Sequence, residues 1–277
     1  RPRYDHNATI SYKSESENAE EIVEELKRSG TLKQCELALI QAKAGNMIYR
    51  GIQSFANALI VNPTMTERPS SMSSNYYNLF ISNSRAWRDF PKRNKSLVCS
   101  SEITEARAYA LKGTPHVVLP FGNPEIGICS GNDFWYSFPK TVSPERTNLF
   151  IIRMFEAACY LSNTPRRMPN AISYHAFVQD MQFIDKVAAG YIAGENIRPD
   201  PTNKEKFMTA VAFGYGTFQK DALEKGMMAT LEEMFDPDTN GFQCVELANY
   251  QQPDNREVWL SAPALLVSLP ILKLLIS

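Results

Sequence analysis

The chain has few histidines and no paired cysteine spacing. Its 277 residues include three histidines, scattered at His6, His116 and His175, which gives no indication of a metal site. The five cysteines are odd in number, at Cys35, Cys99, Cys129, Cys159 and Cys244. This pattern argues against a disulfide framework and a zinc site. It favours a reducing compartment, so we expect a cytoplasmic protein without a bound metal.

The chain also lacks a strong net charge and an uninterrupted membrane span. A formal net charge of -1 gives no global attraction to nucleic acid or anionic lipid. The long apolar segment at 259–276 is interrupted by Pro263, Pro270 and Lys273, which favours a buried strand and a closing segment over a transmembrane helix. The first residues lack a charged-then-apolar pattern, so the sequence gives no sign of a signal peptide. We therefore expect no membrane partner.

The pattern of apolar residues predicts helices, then strands, then helices, then strands. Amphipathic spacing indicates two N-terminal helices within about 17–44, at 18–28 and 32–44. Short apolar runs between turn residues predict strands at 47–49, 58–61, 96–99, 116–119 and 126–129, with helices at 76–88 and 102–111. Longer helices are predicted at 147–161, 171–193 and 203–235, followed by strands at 242–247 and 258–267.

This order favours an α+β fold over a regular alternation of strands and helices. Hydrophobic residues make up 44% of the chain and charged residues 21%, which is ordinary for a globular protein. The length allows one large domain or two small ones. We favour a single domain over 1–277, in which about 147–235 forms a helical insertion.

Three predicted strands each carry a polar residue that is suited to chemistry. Arg50 lies in a strand before Gly51, and its guanidinium binds phosphate in a bidentate manner. Glu257 alternates with apolar neighbours, and Ser100 and Ser101 close an apolar run. The alternatives are an arginine at a strand end on the surface, a charge on an exposed edge strand, and serines that cap the following helix.

These three segments together resemble the mono-ADP-ribosyltransferases of the Arg-Ser-Glu class. Arg50 in Ile48-Tyr49-Arg50-Gly51 matches the arginine of the first core strand, and Glu257 matches the glutamate of a late strand. The serine motif is matched by Cys99-Ser100-Ser101 or by Ser100-Ser101-Glu102, without the usual threonine. The resemblance covers about 47–267 and implies a split β-sheet core with the helical block inserted before the last strands.

The resemblance implies an enzyme that cleaves the nicotinamide glycosidic bond of NAD and transfers ADP-ribose to a macromolecular acceptor, with a protein side chain favoured and a nucleic acid as the alternative. Glu257 would stabilise an oxocarbenium-like ribose, Ser100 would orient Glu257, and Arg50 would hold the pyrophosphate. Gly51, Ser101 and an aromatic residue, with Trp135 chosen from Phe134, Trp135 and Tyr136, would complete the NAD site. Family members of this kind act as toxins, effectors or phage-borne modifiers of host machinery. The resemblance therefore includes the cytoplasm of a host cell as a location.

The segment before Glu257 corresponds to the loop that meets the target in this family. Tyr250 and Asn255 are the predicted target-recognition residues, and an ordinary exposed turn is the alternative. Asn255 stands where arginine-modifying members carry Glu. The resemblance therefore does not indicate arginine as the modified residue.

Four other interpretations of the sequence stand beside the transferase. The scaffold could persist as a catalytically inactive interaction protein, or Cys99 with His116 or His175 could form a thiol hydrolase. A basic cluster with interleaved Trp87 and Phe90 could contact phosphates, although a solvated face is commoner; its members are Arg85, Arg88, Lys92, Arg93 and Lys95. The segment 236–241 has calcium-loop spacing, but Leu247 stands where the loop needs Glu, which favours a capped turn.

Overall fold

The computed structural model describes residues 9–14, 16, 18–67, 76–110, 113–138, 144–193 and 216–277. The described strands are β1 Thr9–Ser14, β2 Tyr49–Ile52, β3 Ala58–Asn62, β4 Leu97–Ser100, β5 Thr114–Pro120, β6 Glu125–Ile128, β7 Gln243–Glu246, β8 Glu257–Leu260 and β9 Ala264–Val267. The described helices are α1 Ala19–Arg28, α2 Thr31–Gln34, α3 Glu36–Lys43, α4 Tyr76–Ile81, α5 Ile103–Ala110, α6 Pro144–Leu161, α7 Tyr174–Ile192, α8 Gly216–Lys225, α9 Met227–Met234 and α10 Leu269–Ile276.

The chain is divided into two compact units. The first comprises Arg1–Ser71, Arg88–Ser137 and Gly241–Ser277, and the second comprises Met72–Trp87 and Phe138–Asn240. The first unit carries all nine described strands, whereas α4 and α6 to α9 belong to the second. The expected single domain with a helical insertion stays a prediction.

The nine strands of the first unit form one antiparallel sheet in the order β1-β3-β9-β5-β2-β4-β8-β6-β7. Each junction has several residue pairs except that of β2 and β4, which pair through Tyr49 and Ser100. The neighbouring β4–β8 ladder has four pairs, from Leu97–Leu260 to Ser100–Glu257. The single pair at the β2–β4 junction means that these two strands diverge next to the predicted site residues Arg50 and Ser100.

Helices α1, α3 and α10 join the apolar residues of the sheet in one hydrophobic core. Helix α1 begins after Asn18, whose side chain accepts hydrogen bonds from the N–H groups of Glu20 and Glu21, and it buries Ile22, Val23 and Leu26. Such a cap satisfies N–H groups that have no partner within the helix. The apolar stripe of the helix then faces the core, as its spacing predicts.

The second unit is built from helices that bury two carboxylates under arginines. Asp180 of α7 accepts hydrogen bonds from Arg167 and from the backbone N–H of Asn170, the latter at 2.7 Å. Glu156 of α6 forms ion pairs with Arg153 and Arg166. Both carboxylates are buried, so these pairs supply the partners that a buried charge requires.

The α+β class is confirmed, and the specific ADP-ribosyltransferase arrangement stays a prediction. Several element predictions were wrong, among them the helix at 76–88, which ends at Ile81 and is followed by a short 3-10 helix at Arg85–Trp87. Strand β1 was missed, the helix predicted at 32–44 is divided at Cys35, and the strand predicted at 258–267 is two strands, β8 and β9, followed by α10. Of the helix predicted at 203–235, residues 203–215 lie outside the described residues.

Candidate functional site

The divergence of β2 and β4 creates a cleft, and the predicted Arg50, Gly51, Ser100 and Glu257 all line it. The remaining lining residues are Tyr49, Val98, Cys99, Ala106, Tyr109 and Asn132. Ser100 and Glu257 are direct partners across the β4–β8 ladder. Three segments that are far apart in sequence therefore meet at the sheet junction.

The Glu257 carboxylate is buried and held by three donors. Arg93 forms an ion pair with Oε1 at 2.6 Å, the backbone N–H of Phe134 donates to Oε2 at 3.2 Å, and the Cys129 thiol donates to Oε1 at 3.8 Å. The side chains of Arg93 and Glu257 are 7% and 9% exposed. Burial raises the pKa of the Cys129 thiol well above its ordinary value, and the charge of Glu257 adds to this, so the thiol remains a donor.

Arg93 has a second contact that fixes its guanidinium. The guanidinium carbon lies 4.2 Å from the centre of the Phe134 ring, a cation–π arrangement. Phe134 thus supports the ion pair twice, through its N–H on Glu257 and through its ring on Arg93. The pair therefore holds Glu257, which lines the cleft, in a fixed position.

The two predicted serines have different partners from those expected. The Ser100 hydroxyl accepts a hydrogen bond from the N–H of Glu102 at 3.0 Å, just before α5. The Ser101 hydroxyl accepts from the N–H of Arg256 at 2.7 Å, and Ser101 N–H donates to the Arg256 carbonyl at 2.9 Å. Glu257 is thus oriented by Arg93, Cys129 and Phe134 rather than by Ser100, while Ser101 fixes the backbone that leads into β8.

Arg50 crosses the β2–β4 junction. Its side chain is buried, and Nη1 donates to the carbonyl oxygen of Val98 on β4. Because the ladder is interrupted there, the guanidinium takes the place of a backbone donor for that carbonyl. Gly51 is required for a different reason, since an added Cβ would lie 2.0 Å from the Ala106 carbonyl oxygen of α5.

The free space of the cleft is small. It amounts to about 30 Å³, which by this measure is room for about two water molecules. Its lining includes a buried cation, Arg50, and a buried carboxylate, Glu257.

The predicted aromatic residues and the predicted target-recognition residues differ in how far they are exposed to solvent. Phe134 is fully buried and Tyr136 is 78% exposed, while Trp135 is not among the described residues that line the cleft. Asn255 is exposed, with a φ of 41°. Tyr250 is 1% exposed, so its prediction as a target contact is wrong for this structure: its ring packs in the core and is not presented to an acceptor.

The segment before Glu257 is also tied down by its polar groups. The Gln252 side chain donates to the Ser101 carbonyl at 2.7 Å and accepts from the N–H of Met47 at 2.8 Å. The Gln41 side chain donates to the carbonyl oxygens of Leu247 and Ala248. These contacts connect the predicted target loop to β4 and to the residues before β2.

The basic cluster is not one solvated face. Arg85, Arg88 and Lys92 are exposed, but Arg93 is buried against Glu257. The sequence analysis placed Arg93 in the basic cluster and missed it as the partner of Glu257. Nothing in the sequence of 85–95 distinguishes this buried cation from its exposed neighbours. Asn132 and Tyr109 of the cleft were missed as well.

The thiol hydrolase gains no support from His116. Its ring nitrogens lie 3.0 Å from the Thr114 carbonyl oxygen and 2.7 Å from that of Ala56, and burial lowers its pKa. The ring is engaged by the backbone rather than by Cys99. At 236–241, Asp236 Oδ1 accepts from the N–H of Thr239 at 2.6 Å, as in a capped turn.

No family model, curated protein or solved structure matches this chain. Among the described residues, no helix combines the length and the hydropathy that crossing a membrane requires. Within the same residues, no group of three or more His, Cys, Asp or Glu side chains is arranged to hold a metal ion.

Proposed function

We propose that the protein is a mono-ADP-ribosyltransferase that uses NAD as its donor and a macromolecule, protein rather than nucleic acid, as acceptor. The observation that carries this proposal is the meeting of Arg50, Ser100 and Glu257 in one cleft. These residues come from strands separated by 50 and 157 positions of sequence. Their spatial meeting is a condition that the transferase requires and that the sequence pattern by itself does not guarantee.

In this proposal Glu257 provides the negative charge that the reaction needs. NAD contributes a cationic nicotinamide, a leaving group that departs without a proton from the enzyme. As the glycosidic bond breaks, positive charge develops on the ribose, and a carboxylate in a site of low dielectric constant stabilises it. Arg50 holds the pyrophosphate through charge-assisted hydrogen bonds. An acceptor nucleophile then attacks the ribose carbon and releases its own proton.

The first test is release of nicotinamide from NAD by the wild-type protein and by Glu257→Gln, which keeps the size of the side chain. Loss of a charge that acts in the transition state lowers turnover by about 10²–10³-fold. NAD binding, followed by calorimetry, is expected to persist in Glu257→Gln and to weaken in Arg50→Gln. Glu246→Gln is the control, because it makes the same change on an exposed strand residue of the same sheet.

A second candidate is an interaction protein that keeps the scaffold without turnover. The Arg93–Glu257 ion pair favours it, because the carboxylate already has a cationic partner and the cleft is nearly filled. In that case neither wild type nor Arg93→Met releases nicotinamide, and calorimetry detects no NAD binding. Turnover by wild type that disappears in Glu257→Gln excludes this candidate.

A further inference from the structure

The rim of the cleft is formed by two residues from outside the predicted motifs. Among the lining residues, Tyr109 and Asn132 are the exposed ones, whereas Val98 is half-buried and the others are buried. Tyr109 is 39% exposed. A ligand that enters the cleft from solvent therefore meets these two side chains first. They are called the rim pair below.

The rim pair reaches the cleft from the two sides of β4. Tyr109 belongs to α5, whose backbone at Ala106 lies against Gly51 of β2. Asn132 lies in the loop after β6, which is bonded to Glu257 of β8. In the sheet, β4 lies between β2 and β8. The cleft is thus bordered by an aromatic ring on one side and by an amide on the other.

The loop that carries Asn132 is fixed against Glu257. The backbone N–H of Glu257 donates to the Gly131 carbonyl at 3.0 Å. The buried Ser137 hydroxyl accepts from the Gly131 N–H at 3.1 Å and donates to the Asp133 carbonyl at 2.7 Å. The backbone on both sides of Asn132 is therefore ordered before a ligand binds, which lowers the entropy cost of binding.

The rim pair complements a planar ring that carries a carboxamide. An asparagine side chain offers a carbonyl acceptor and two N–H donors, so it can exchange two hydrogen bonds with a primary carboxamide, which offers the same groups. A tyrosine ring packs on another planar ring in an offset or edge-on arrangement. Nicotinamide combines a planar ring and a primary carboxamide in one group.

The position of the rim pair also suits the leaving group of the proposed reaction. Glu257 is buried, whereas Asn132 beside its loop contact is exposed. The ribose carbon on which positive charge develops belongs at the buried carboxylate, and the base that departs belongs on the solvent side. Gly51, which the resemblance places in the NAD site, is buried against the α5 backbone and does not lie on this rim.

We propose that the rim pair determines specificity for the nicotinamide group of the donor, with the carboxamide hydrogen-bonded to Asn132 and the pyridinium ring packed on Tyr109. Because the rim pair receives a part of NAD, this assignment rests on the proposed function. It gives the rim pair the role that the sequence assigned to Trp135, which does not line the cleft. Asn132 donates to the ligand carbonyl and accepts from the ligand N–H.

The test compares NAD with 3-acetylpyridine adenine dinucleotide by calorimetry of the full chain. The analogue has a methyl group in place of the carboxamide nitrogen, so it keeps the carbonyl and the charge of the ring but loses the N–H groups. Wild type is expected to bind NAD about fivefold more tightly than the analogue, because one hydrogen bond is lost. Equal affinities would overturn the proposal. The same titrations in Glu257→Gln, in which cleavage is expected to be slow, exclude an effect of turnover.

Variants at position 132 are expected to change this preference in opposite directions. Asn132→Ala removes both hydrogen bonds, so it should bind the two dinucleotides within about twofold of each other. Asn132→Asp still accepts from the ligand N–H, through a stronger charge-assisted bond, and opposes the carbonyl of the analogue. Its preference for NAD should therefore exceed that of wild type. A merely structural role of Asn132 would weaken both dinucleotides equally in both variants, and that result would overturn the proposal.

Two further variants locate the contact. Tyr109→Leu is expected to weaken both dinucleotides by about threefold and to leave the preference unchanged, since ring packing does not involve the carboxamide nitrogen. Asn83→Ala makes the same change as Asn132→Ala on an exposed residue outside the lining, and both affinities should stay as in wild type. Equal effects of Asn83→Ala and Asn132→Ala would contradict a contact at the rim.

Turnover separates this proposal from the proposed function. Nicotinamide release by wild type, together with an unchanged preference in Asn132→Ala, would reject the rim pair alone. Absence of both NAD binding and nicotinamide release in wild type would reject the transferase and the rim pair together. NAD binding with the expected preference but without turnover would uphold the rim pair in a protein that binds the donor without cleaving it.

Discussion

Replacing Arg93 with methionine is expected to destabilise the first unit because it leaves a buried carboxylate without its cation. Arg93 Nη1 lies 2.6 Å from Glu257 Oε1, and both side chains are less than one tenth exposed. Removing one partner of such a pair costs about 3–5 kcal/mol of unfolding free energy. Two donors to Glu257 remain, the Phe134 N–H and the Cys129 thiol, which places the expected loss near about 3 kcal/mol.

The decisive comparison adds Glu257→Gln to Arg93→Met. In the double variant the buried carboxylate becomes a neutral amide, whose oxygen still accepts from Phe134 N–H. A neutral polar group costs less to bury than an unpaired charge. The double variant is therefore expected to be more stable than Arg93→Met alone, with a coupling energy of about 2 kcal/mol.

Urea unfolding of the four proteins, followed by tryptophan fluorescence, measures this coupling. Trp259 is a suitable reporter because its ring stacks on Phe90 and meets Phe134 edge-on in the same unit. The control cycle uses Lys225→Met and Glu233→Gln, an exposed pair at 2.8 Å, for which the two changes are expected to add. If Glu257→Gln lowers the stability of Arg93→Met instead of raising it, the ion pair does not govern the energetics of this site.

Three further predictions concern stability. Cys35 is fully buried, and burial raises the pKa of its thiol from 9.0 to about 11. Between pH 9 and pH 11 the unfolded chain therefore loses a proton that the folded chain keeps, which lowers the stability of the wild type as pH rises. In urea titrations, the stability advantage of wild type over Cys35→Ala should fall by up to about 2.7 kcal/mol over that range. Gly51→Ala should lower the free energy of unfolding by at least about 1–3 kcal/mol, because the new Cβ meets the α5 backbone at Ala106 and Ala110. Asn255 has a φ of 41°, which Gly adopts readily and Ala does not. Asn255→Ala should therefore lower the free energy of unfolding by about 1 kcal/mol and Asn255→Gly should leave it almost unchanged. Equal effects of the two variants in thermal unfolding would contradict a conformational cause.

Local pattern was sufficient for the class of the fold and for most elements of the sheet. Strand β1 was missed because it is an edge strand with a bulge between Ile10 and Tyr12, which breaks the alternation that identifies strands. Helix α10 was missed because Pro270 was taken as an interruption. In the structure Pro270 lies in the first turn of the helix, where the missing N–H costs nothing.

The candidate site was predictable only where chemistry and strand position coincide. Arg50, Ser100 and Glu257 could be chosen because each is a polar residue in an apolar strand, and the structure brings them to one cleft. Arg93 could not be chosen, because it lies in a short 3-10 helix among exposed cations. Tyr250 was misassigned because loop position does not reveal that a tyrosine ring is directed into the core.

The anchoring of Arg93 indicates how Glu257 can be separated from its cation. The backbone before it is fixed by three hydrogen bonds: Trp259 Nε1 donates to the Pro91 carbonyl at 2.8 Å, and Ser96 and Ser261 hydroxyls donate to the Lys92 carbonyl. Moving the whole segment breaks all three, whereas rotation of the Arg93 side chain breaks the contacts to Glu257 and Phe134. Under the transferase proposal, rotation of the Arg93 side chain frees Glu257 without moving the backbone of the segment. The cationic nicotinamide ribose of NAD would then replace Arg93 as the positive partner of Glu257, so substrate binding and release of the catalytic carboxylate would be a single coupled event.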